Sequence, residues 1–458
     1  VPQKLADMVL TDTEMRITKT PEAQAANLPG ISLLHDLAGA PQFVYSRSEG
    51  RPLPPQLEVL LPLADTMNVQ RRILQTLMEL QGIELRGRQP AEQQWLMLTF
   101  AGRNGVGHLD VFEHDAAARA FYTPKATVDA SPINGSSLWY AFRRFVQLIA
   151  NEEEERLIVN TVGPTPGIAG FVPKLPTDIS LTADGDWDGN LTPGRGLPVI
   201  VKIEQPAYPG LLALEALAYD YHARADFDVP RTWFKEIAHG GETIPVLAVE
   251  RFDRQPGRTL PQESFYSLLH TGNRTKYRVN TDGTMEDLAK IFGFLKLAAD
   301  QKEEWFARFV LAILTGNGDM HTENMAIVGG AGAQRLSPVF DPAPMRAYRG
   351  RASHNILSAL PFTGIGGCAE TSRPYAESGE TPPDLGQRLI HFAVSIHIPK
   401  QRARSELARL VALTAPYRDE AIATLEAVPV EIRKARAPDI DGFAATLGAV
   451  RQACSAAL

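Results

Sequence analysis

The chain has 458 residues and only two cysteines, Cys368 and Cys454, far apart and in no metal-ligand spacing. That argues against a disulfide framework or a cysteine-based zinc site, and it fits a reducing compartment. Long apolar runs are missing too: the longest, 309–314, is far below the ~20 residues a membrane span needs. Acidic residues stand where a secretory leader would carry its apolar stretch, so the expectation is a cytoplasmic protein with no membrane segment. Positive charge is in deficit, with 46 Lys and Arg against 53 Asp and Glu and a formal net charge of -7. This disfavours a nucleic-acid coat or an anionic lipid surface as the main partner, and no direct nucleic-acid contact is expected. Two local groups, Arg402/Arg404 and Arg433/Lys434/Arg436, are open to two readings, a basic patch or solvated helix faces. There is no internal repeat, no long low-complexity tract and no Gly-Lys-Ser/Thr ending of a Walker A loop.

What is present is an ordinary globular composition, 44% hydrophobic and 22% charged, in a chain long enough for two or three domains. Gln42–Tyr45 reads as a strand and Val69–Leu80 as a helix, through Ile73, Leu74, Leu77 and Leu80. Gln94–Phe100 fits either element. Arg103-Asn-Gly-Val-Gly-His is a turn, with a strand expected over Leu109–Phe112. A polar stretch over Thr123–Ser137 reads as a linker, and Leu138–Glu155 as one helix. A Gly/Pro-rich loop, Gly163–Gly170, is followed by the β-branched run Pro198–Ile203, a helix over Leu211–Ala225 and strands at Thr232–Ala238 and Pro245–Arg251. The remainder reads as helical. The stripe Trp305, Phe306, Phe309, Val310 and Ile313 has core-packing spacing. The divisions expected are 1–126, 127–255 and 256–458.

The strongest chemical signal is Leu314-Thr-Gly-Asn-Gly-Asp-Met-His-Thr-Glu-Asn324, where an apolar helix stops at a glycine and a polar loop opens. Asp319 and Asn324 are separated by four residues, the interval of a protein-kinase catalytic loop. In that chemistry the Asp accepts the proton of the attacking hydroxyl and the Asn holds a Mg²⁺ that bridges phosphates. A short strand, a Gly-rich turn and Ser337-Pro-Val-Phe340 then lead to Asp341, placed to return as the second metal ligand. Asp and Asn in loops commonly serve only as turn formers, and it is their combination with Asp341 that points to catalysis. His321 reads as a ligand or base, or as a ring that braces the loop. Lys202 interrupts an apolar strand and therefore needs a partner, for which Glu215, thirteen residues on, is the candidate. The glycine loop offers backbone N–H groups for phosphates but is a weak signal alone.

Together these pieces resemble HipA-like serine/threonine kinases, the toxin component of bacterial toxin–antitoxin pairs. The resemblance rests on Gly316–Asn324, Val249-Glu-Arg-Phe-Asp-Arg254, Gly167-Ile-Ala-Gly-Phe-Val-Pro-Lys174, Val199–Lys202 and Phe340-Asp341. Lys276-Tyr277, Gln42–Tyr45 and Leu60-Leu-Pro-Leu add to it. The resemblance implies an α+β, bilobal, protein-kinase-like fold. A small N-terminal α/β subdomain precedes the small lobe, and the large lobe is mostly helical. It implies ATP and Mg²⁺ as cofactors, with Asp319 and His321 in the catalytic loop and Asn324 and Asp341 at the metal. Gly167, Ala169, Gly170, Lys202 and Glu215 would serve the phosphates, and Glu250 and Phe252 the adenine. It further implies transfer to a serine or threonine of a protein, aminoacyl-tRNA synthetases being known targets in the family, and a small helix-turn-helix antitoxin as partner. Two positions depart. Gly167 stands where the family often carries an autophosphorylated serine, with Thr165 nearby, and Glu323 stands where a lysine is usual. The competing readings are a small-molecule kinase of the aminoglycoside or sugar type and a catalytically weak nucleotide-binding scaffold or co-repressor.

Overall fold

In the computed structural model the described residues are 2–47, 52–62, 68–123, 132–162, 172–269, 284–348, 356–363, 365 and 380–458. The glycine loop with Gly167, Ala169 and Gly170 lies outside them, as do Lys276, Tyr277, Cys368 and residues 124–131 of the expected linker. The chain forms two compact units: 1–205 with 235–274 and 328–334, and 206–234 with 275–327 and 335–458.

In the first unit, apolar residues alternate along Glu14–Lys19, so Met15 and Ile17 face inward and Arg16 and Thr18 outward. This strand is central in an antiparallel sheet with Ala6–Leu10 and Gln42–Ser46, and the sheet packs on a core that includes Phe43, Leu57, Leu74, Met78 and Leu98. Helix Val69–Leu80 starts at Asn68, whose side chain accepts from the Arg71 N–H. The ambiguous 94–100 segment belongs to helix Pro90–Ala101, opened by a proline in its first turn. The strand expected over Leu109–Phe112 does not form; the segment runs as irregular chain, with the Val111 N–H donating to the Gly102 carbonyl.

The single helix expected over Leu138–Glu155 is two helices, Gly135–Val146 and Glu152–Val162. Leu148 turns left-handed at φ 64° between them, and Asn151 accepts from the Glu154 N–H. Arg144 pairs with Glu154 across the corner at 2.8 Å. The polar Asn151 and the run of glutamates restart a helix instead of continuing one. After these helices comes a four-stranded sheet in the order Lys174–Ile179, Leu197–Ile203, Glu242–Glu250, Thr232–His239. Its hairpin turns on Gly240 and Gly241 at φ 57° and 84°, the left-handed pair that matches strand twist.

The second unit is mostly helical: Leu211–Arg224, Ala299–Thr315, Leu385–Ser395, Lys400–Leu413, Tyr417–Glu426 and Val430–Ser455. The stripe from Trp305 to Ile313 is buried, with Phe309 packed edge-on to Phe362 and Phe392 at 4.9 and 5.5 Å. Arg402 pairs with Glu303 and Lys434 with Glu431, as on solvated faces. Arg436 departs from that reading. It is buried, lies 4.3 Å above the Tyr348 ring and donates to the Pro209 and Ala347 carbonyls at 2.5 and 3.1 Å. No helix among the described residues is long and apolar enough to cross a membrane.

Candidate active site

Helix Ala299–Thr315 ends because Gly316 adopts φ 80°, which brings the Asn317 N–H back to the Ala312 carbonyl at 2.8 Å. A Cβ at Gly316 would lie 2.6 Å from the Phe443 ring, and one at Gly318 would lie 2.2 Å from the Ile356 carbonyl oxygen. The two glycines therefore let the loop leave the helix closely packed on its surroundings. Within the loop, the Asp319 N–H donates to Asn317 Oδ1 at 2.9 Å. The Asp319 carbonyl accepts from Asn324 Nδ2 at 2.9 Å and from the His321 N–H at 2.8 Å. The backbone of Asp319 is thus held from both sides, while its side chain remains 29% exposed. His321 is fully buried; its Nδ1 accepts the Glu323 N–H at 3.1 Å, and its Nε2 lies 3.9 Å from Asp319 Oδ2. A ring with Nδ1 as acceptor carries its proton on Nε2, the nitrogen on the Asp319 side. These contacts brace the loop from within.

Past Asn324, strands Ala326–Val328 and Arg335–Leu336 pair, and the Ser337 N–H reaches back to the Ala326 carbonyl at 3.0 Å. Buried Arg308 donates to the Ser337 carbonyl at 2.6 Å and pairs with Glu304 one helical turn away. The chain then reaches Asp341, which is left-handed at φ 56° and donates its N–H to the Tyr219 hydroxyl at 3.1 Å. Aspartate tolerates this conformation better than most residues. Tyr219 stands one turn after Glu215 on helix Leu211–Arg224, and both are buried. Asn324 and Asp341 line one cavity of about 40 Å³, together with Asn317, Arg308, His222 and Phe340. Burial pushes the His222 imidazole down to about 4, with Arg308 adding to the shift, so the ring is neutral near pH 7. The structure therefore brings Asn324 and Asp341 together and sets Asp319 on the same loop.

Lys202 lies in strand Leu197–Ile203 of the first unit and is 3% exposed. Directly opposite it in antiparallel register is Lys174, also buried. Opposed residues share a face, so two ammonium groups look onto one side of the sheet, an arrangement that favours an anion there. Glu250 ends the neighbouring strand opposite Val199, and Phe252 follows it; both are half-buried. Glu215 belongs to the second unit. Lys174, Asn317 and Tyr219 were not singled out as site residues by the sequence reading. Register reveals Lys174, and hydrogen bonds to Asp319 and Asp341 reveal Asn317 and Tyr219; in sequence only the Gly167–Lys174 motif and the proximity of Asn317 to Asp319 pointed to any of them.

Among the described residues no group of three or more His, Cys, Asp or Glu side chains is placed to hold a metal by itself. Asn324 and Asp341 nevertheless fit Mg²⁺, a hard ion that takes a few protein oxygens and completes its shell with phosphate and water.

The family model described as the HipA-like C-terminal domain matches residues 167–415, more than half of the chain. The chain therefore belongs to that family. Over 98% of its length it shares the fold of HipA from Shewanella oneidensis MR-1, solved with HipB and operator DNA, at a TM-score of 0.63 and 16% identity over 94% of that chain. It is 25% identical over 181 residues to the Sinorhizobium fredii protein named "Putative kinase Y4dM", covering 37% of this chain and 39% of the relative. It is 27% identical over 205 residues to a Haemophilus influenzae protein named "Putative kinase", covering 43% of this chain and 57% of the relative. The alignments thus span between about two fifths and three fifths of the curated relatives' own lengths. The fold is α+β and kinase-like, as the resemblance implied.

Proposed function

We propose that this chain is an ATP- and Mg²⁺-dependent serine/threonine protein kinase that acts as a toxin-like growth regulator. One observation carries the reading: Asp319 sits on a loop fixed at its backbone, and that loop delivers Asn324 to a cavity shared with Asp341. When bound, Mg·ATP supplies the activated phosphoryl group and neutralises its charge. The half-exposed Asp319 carboxylate orients the acceptor hydroxyl and takes its proton. Asn324 commits its amide nitrogen to the Asp319 carbonyl, which presents its oxygen as the group for the metal. Asp341 is the second group that would hold it, aimed by its left-handed backbone and by Tyr219. Lys202 and Lys174 offer positive charge to the phosphates, and Glu250 and Phe252 would meet the adenine. The S. oneidensis HipA was solved with HipB and operator DNA, which supports a small antitoxin as the partner of this chain also. Transfer of labelled phosphate from ATP to proteins of a lysate tests the proposal. Labelled serine or threonine, dependent on Mg²⁺ and on Asp319, is the expected result; no transfer to any protein would contradict it.

A second reading, a catalytically weak co-repressor, is favoured by Glu323. It is buried, where the resemblance leads one to expect a lysine. Nucleotide binding without transfer would favour that reading.

A further inference from the structure

The motif Glu250-Arg-Phe-Asp-Arg254 has an alternation that its proposed adenine role does not explain. Glu250 and Phe252 are half-buried, whereas Arg251 and Asp253 are each 4% exposed. The strand ends at Glu250, and Phe252 and Asp253 form a turn closed by the Arg254 N–H on the Arg251 carbonyl at 3.1 Å, so the two pairs are held in one tight bend. The buried pair grips a turn about 145 residues earlier in sequence. Arg251 donates to the Asn104 carbonyl at 2.9 Å, to Asn104 Oδ1 at 3.1 Å and to the Gly105 carbonyl at 2.6 Å. Arg254 donates to the Gly105 and Gly107 carbonyls, each at 2.7 Å. Asp253 accepts from both arginines, at 2.8 and 2.7 Å, and from the Gly107 N–H at 2.8 Å. The arginines hold the Asp253 carboxyl below the usual carboxylate range despite its burial.

The turn is shaped to be gripped. Asn104 is left-handed at φ 55° and Gly107 at φ 85°, and the Asn104, Gly105 and Gly107 carbonyls accept from the guanidinium groups. A Cβ at Gly107 would meet the Gln262 backbone at 3.2 Å. Asp110 closes the turn from behind by accepting the Asn104 N–H at 2.6 Å. One buried and one partly buried guanidinium group against one carboxylate leave a net positive charge, and the turn's carbonyls supply the remaining acceptors. Truncating one member of such a network leaves the others buried and unmatched, so the whole segment shifts.

We infer that Asn104–Gly107 and the Arg251–Asp253–Arg254 cluster form a clamp that fixes Glu250 and Phe252 in the nucleotide-facing position. The residues of this clamp are positioning residues, and the N-terminal turn is a working part of the adenine site. The inference rests on the proposed reading of Glu250 and Phe252 as adenine contacts. It requires adenine recognition and phosphate recognition to respond separately to damage at the turn.

The experiment is calorimetry with two probes on the full chain: adenosine, which has no phosphate, and Mg²⁺·tripolyphosphate, which has no base. In Asp253→Asn the adenosine affinity falls by roughly 10- to 100-fold, the scale of a misplaced contact, while tripolyphosphate affinity stays within about twofold. Asn104→Gly keeps the left-handed backbone, removes one acceptor from each arginine, and shows the same split with a smaller loss. It serves if Asp253→Asn fails to fold. Equal loss of both probes, or no loss in either folded variant, would overturn the clamp. If the wild-type chain binds ATP and tripolyphosphate but not adenosine, the assignment of Glu250 and Phe252 fails, and the clamp's adenine role with it. If the wild type binds none of the three, the kinase reading itself fails.

Discussion

The loop 316–324 and the sheet around Lys202 are built in opposite ways. In the loop, the hydrogen bonds that hold the Asp319 backbone come from within a few residues: Asn317 Oδ1, the His321 N–H and the Asn324 amide. In the sheet region the partners are far apart in sequence. Lys202 faces Lys174, Val199 faces Glu250, and Arg251 grips Gly105. The charges differ as well. Asp319 keeps a partly exposed carboxylate, whereas Lys174, Lys202, Arg251 and Asp253 are nearly inaccessible. A local site survives as long as its loop closes, but a dispersed one depends on register and on a distant turn.

The largest effect expected is on the local side. Asp319→Asn should lower phosphoryl transfer by ~10²–10⁴-fold, the usual contribution of a positioned base. Nucleotide affinity should stay within a few-fold, because the proposed role of the carboxylate is on the acceptor. Labelled-phosphate transfer beside calorimetry checks both, and a parallel loss of binding would move Asp319 to a metal or structural role.

Gly318→Ala sharpens the comparison. Its Cβ would collide with the Ile356 carbonyl, so the loop must move. A displacement of that kind is worth about 10²-fold in transfer. Adenosine binding, which the proposed function assigns to the other region, should be untouched. Equal damage to both would show that the two regions are not separable.

The two units should also respond to pH with opposite signs. His222 is pushed down to about 4, so on acidification the unfolded chain takes up a proton that the folded one refuses. Stability from this group is fully present above its ordinary value near 6.5 and is lost as pH falls toward 4, on the order of 3 kcal/mol. Glu263 runs the other way. Burial raises its carboxyl to about 7, against hydrogen bonds from the Leu33 N–H and Gln56. Between about 4.5 and 7 the folded form holds the proton that the unfolded chain has lost, so its unit loses stability as pH rises. Urea denaturation followed at several pH values, with His222→Gln and Glu263→Gln as controls, resolves the two slopes.

The smallest effect is expected for Tyr219→Phe, which takes the acceptor from the Asp341 N–H. The loss is about 1 kcal/mol, or roughly a fivefold higher Mg²⁺ requirement for nucleotide binding. Metal-free nucleotide affinity should be unchanged. A lower melting temperature with an unshifted Mg²⁺ curve would make Tyr219 merely structural.

This contrast also explains what could be read from the sequence. The Asp319–Asn324 interval, the glycine that ends the helix and the hairpin before Asp341 are all local patterns, so the loop was legible. The apolar helix stripe was legible for the same reason. Lys174 was visible only as part of a motif, because its register with Lys202 depends on pairing across a loop. Arg251 and Asp253 had no readable partners, since Asn104–Gly107 looked like any turn. The helix break at Leu148 was missed because apolar residues continue through it; the corner is fixed by Asn151 and by the Arg144–Glu154 pair. Arg436 looked like a surface charge because its acceptors are backbone carbonyls from two distant segments.

The central claim is that Asn324 and Asp341 together hold the metal that brings ATP into this site. Calorimetric titration of ATP with and without Mg²⁺, on the wild type and on Asp341→Ala, tests it most directly. Mg²⁺ should strengthen ATP binding to the wild type, and Asp341→Ala should abolish that gain while the fold persists, as circular dichroism would verify. Unchanged Mg·ATP affinity in a folded Asp341→Ala variant would contradict the account.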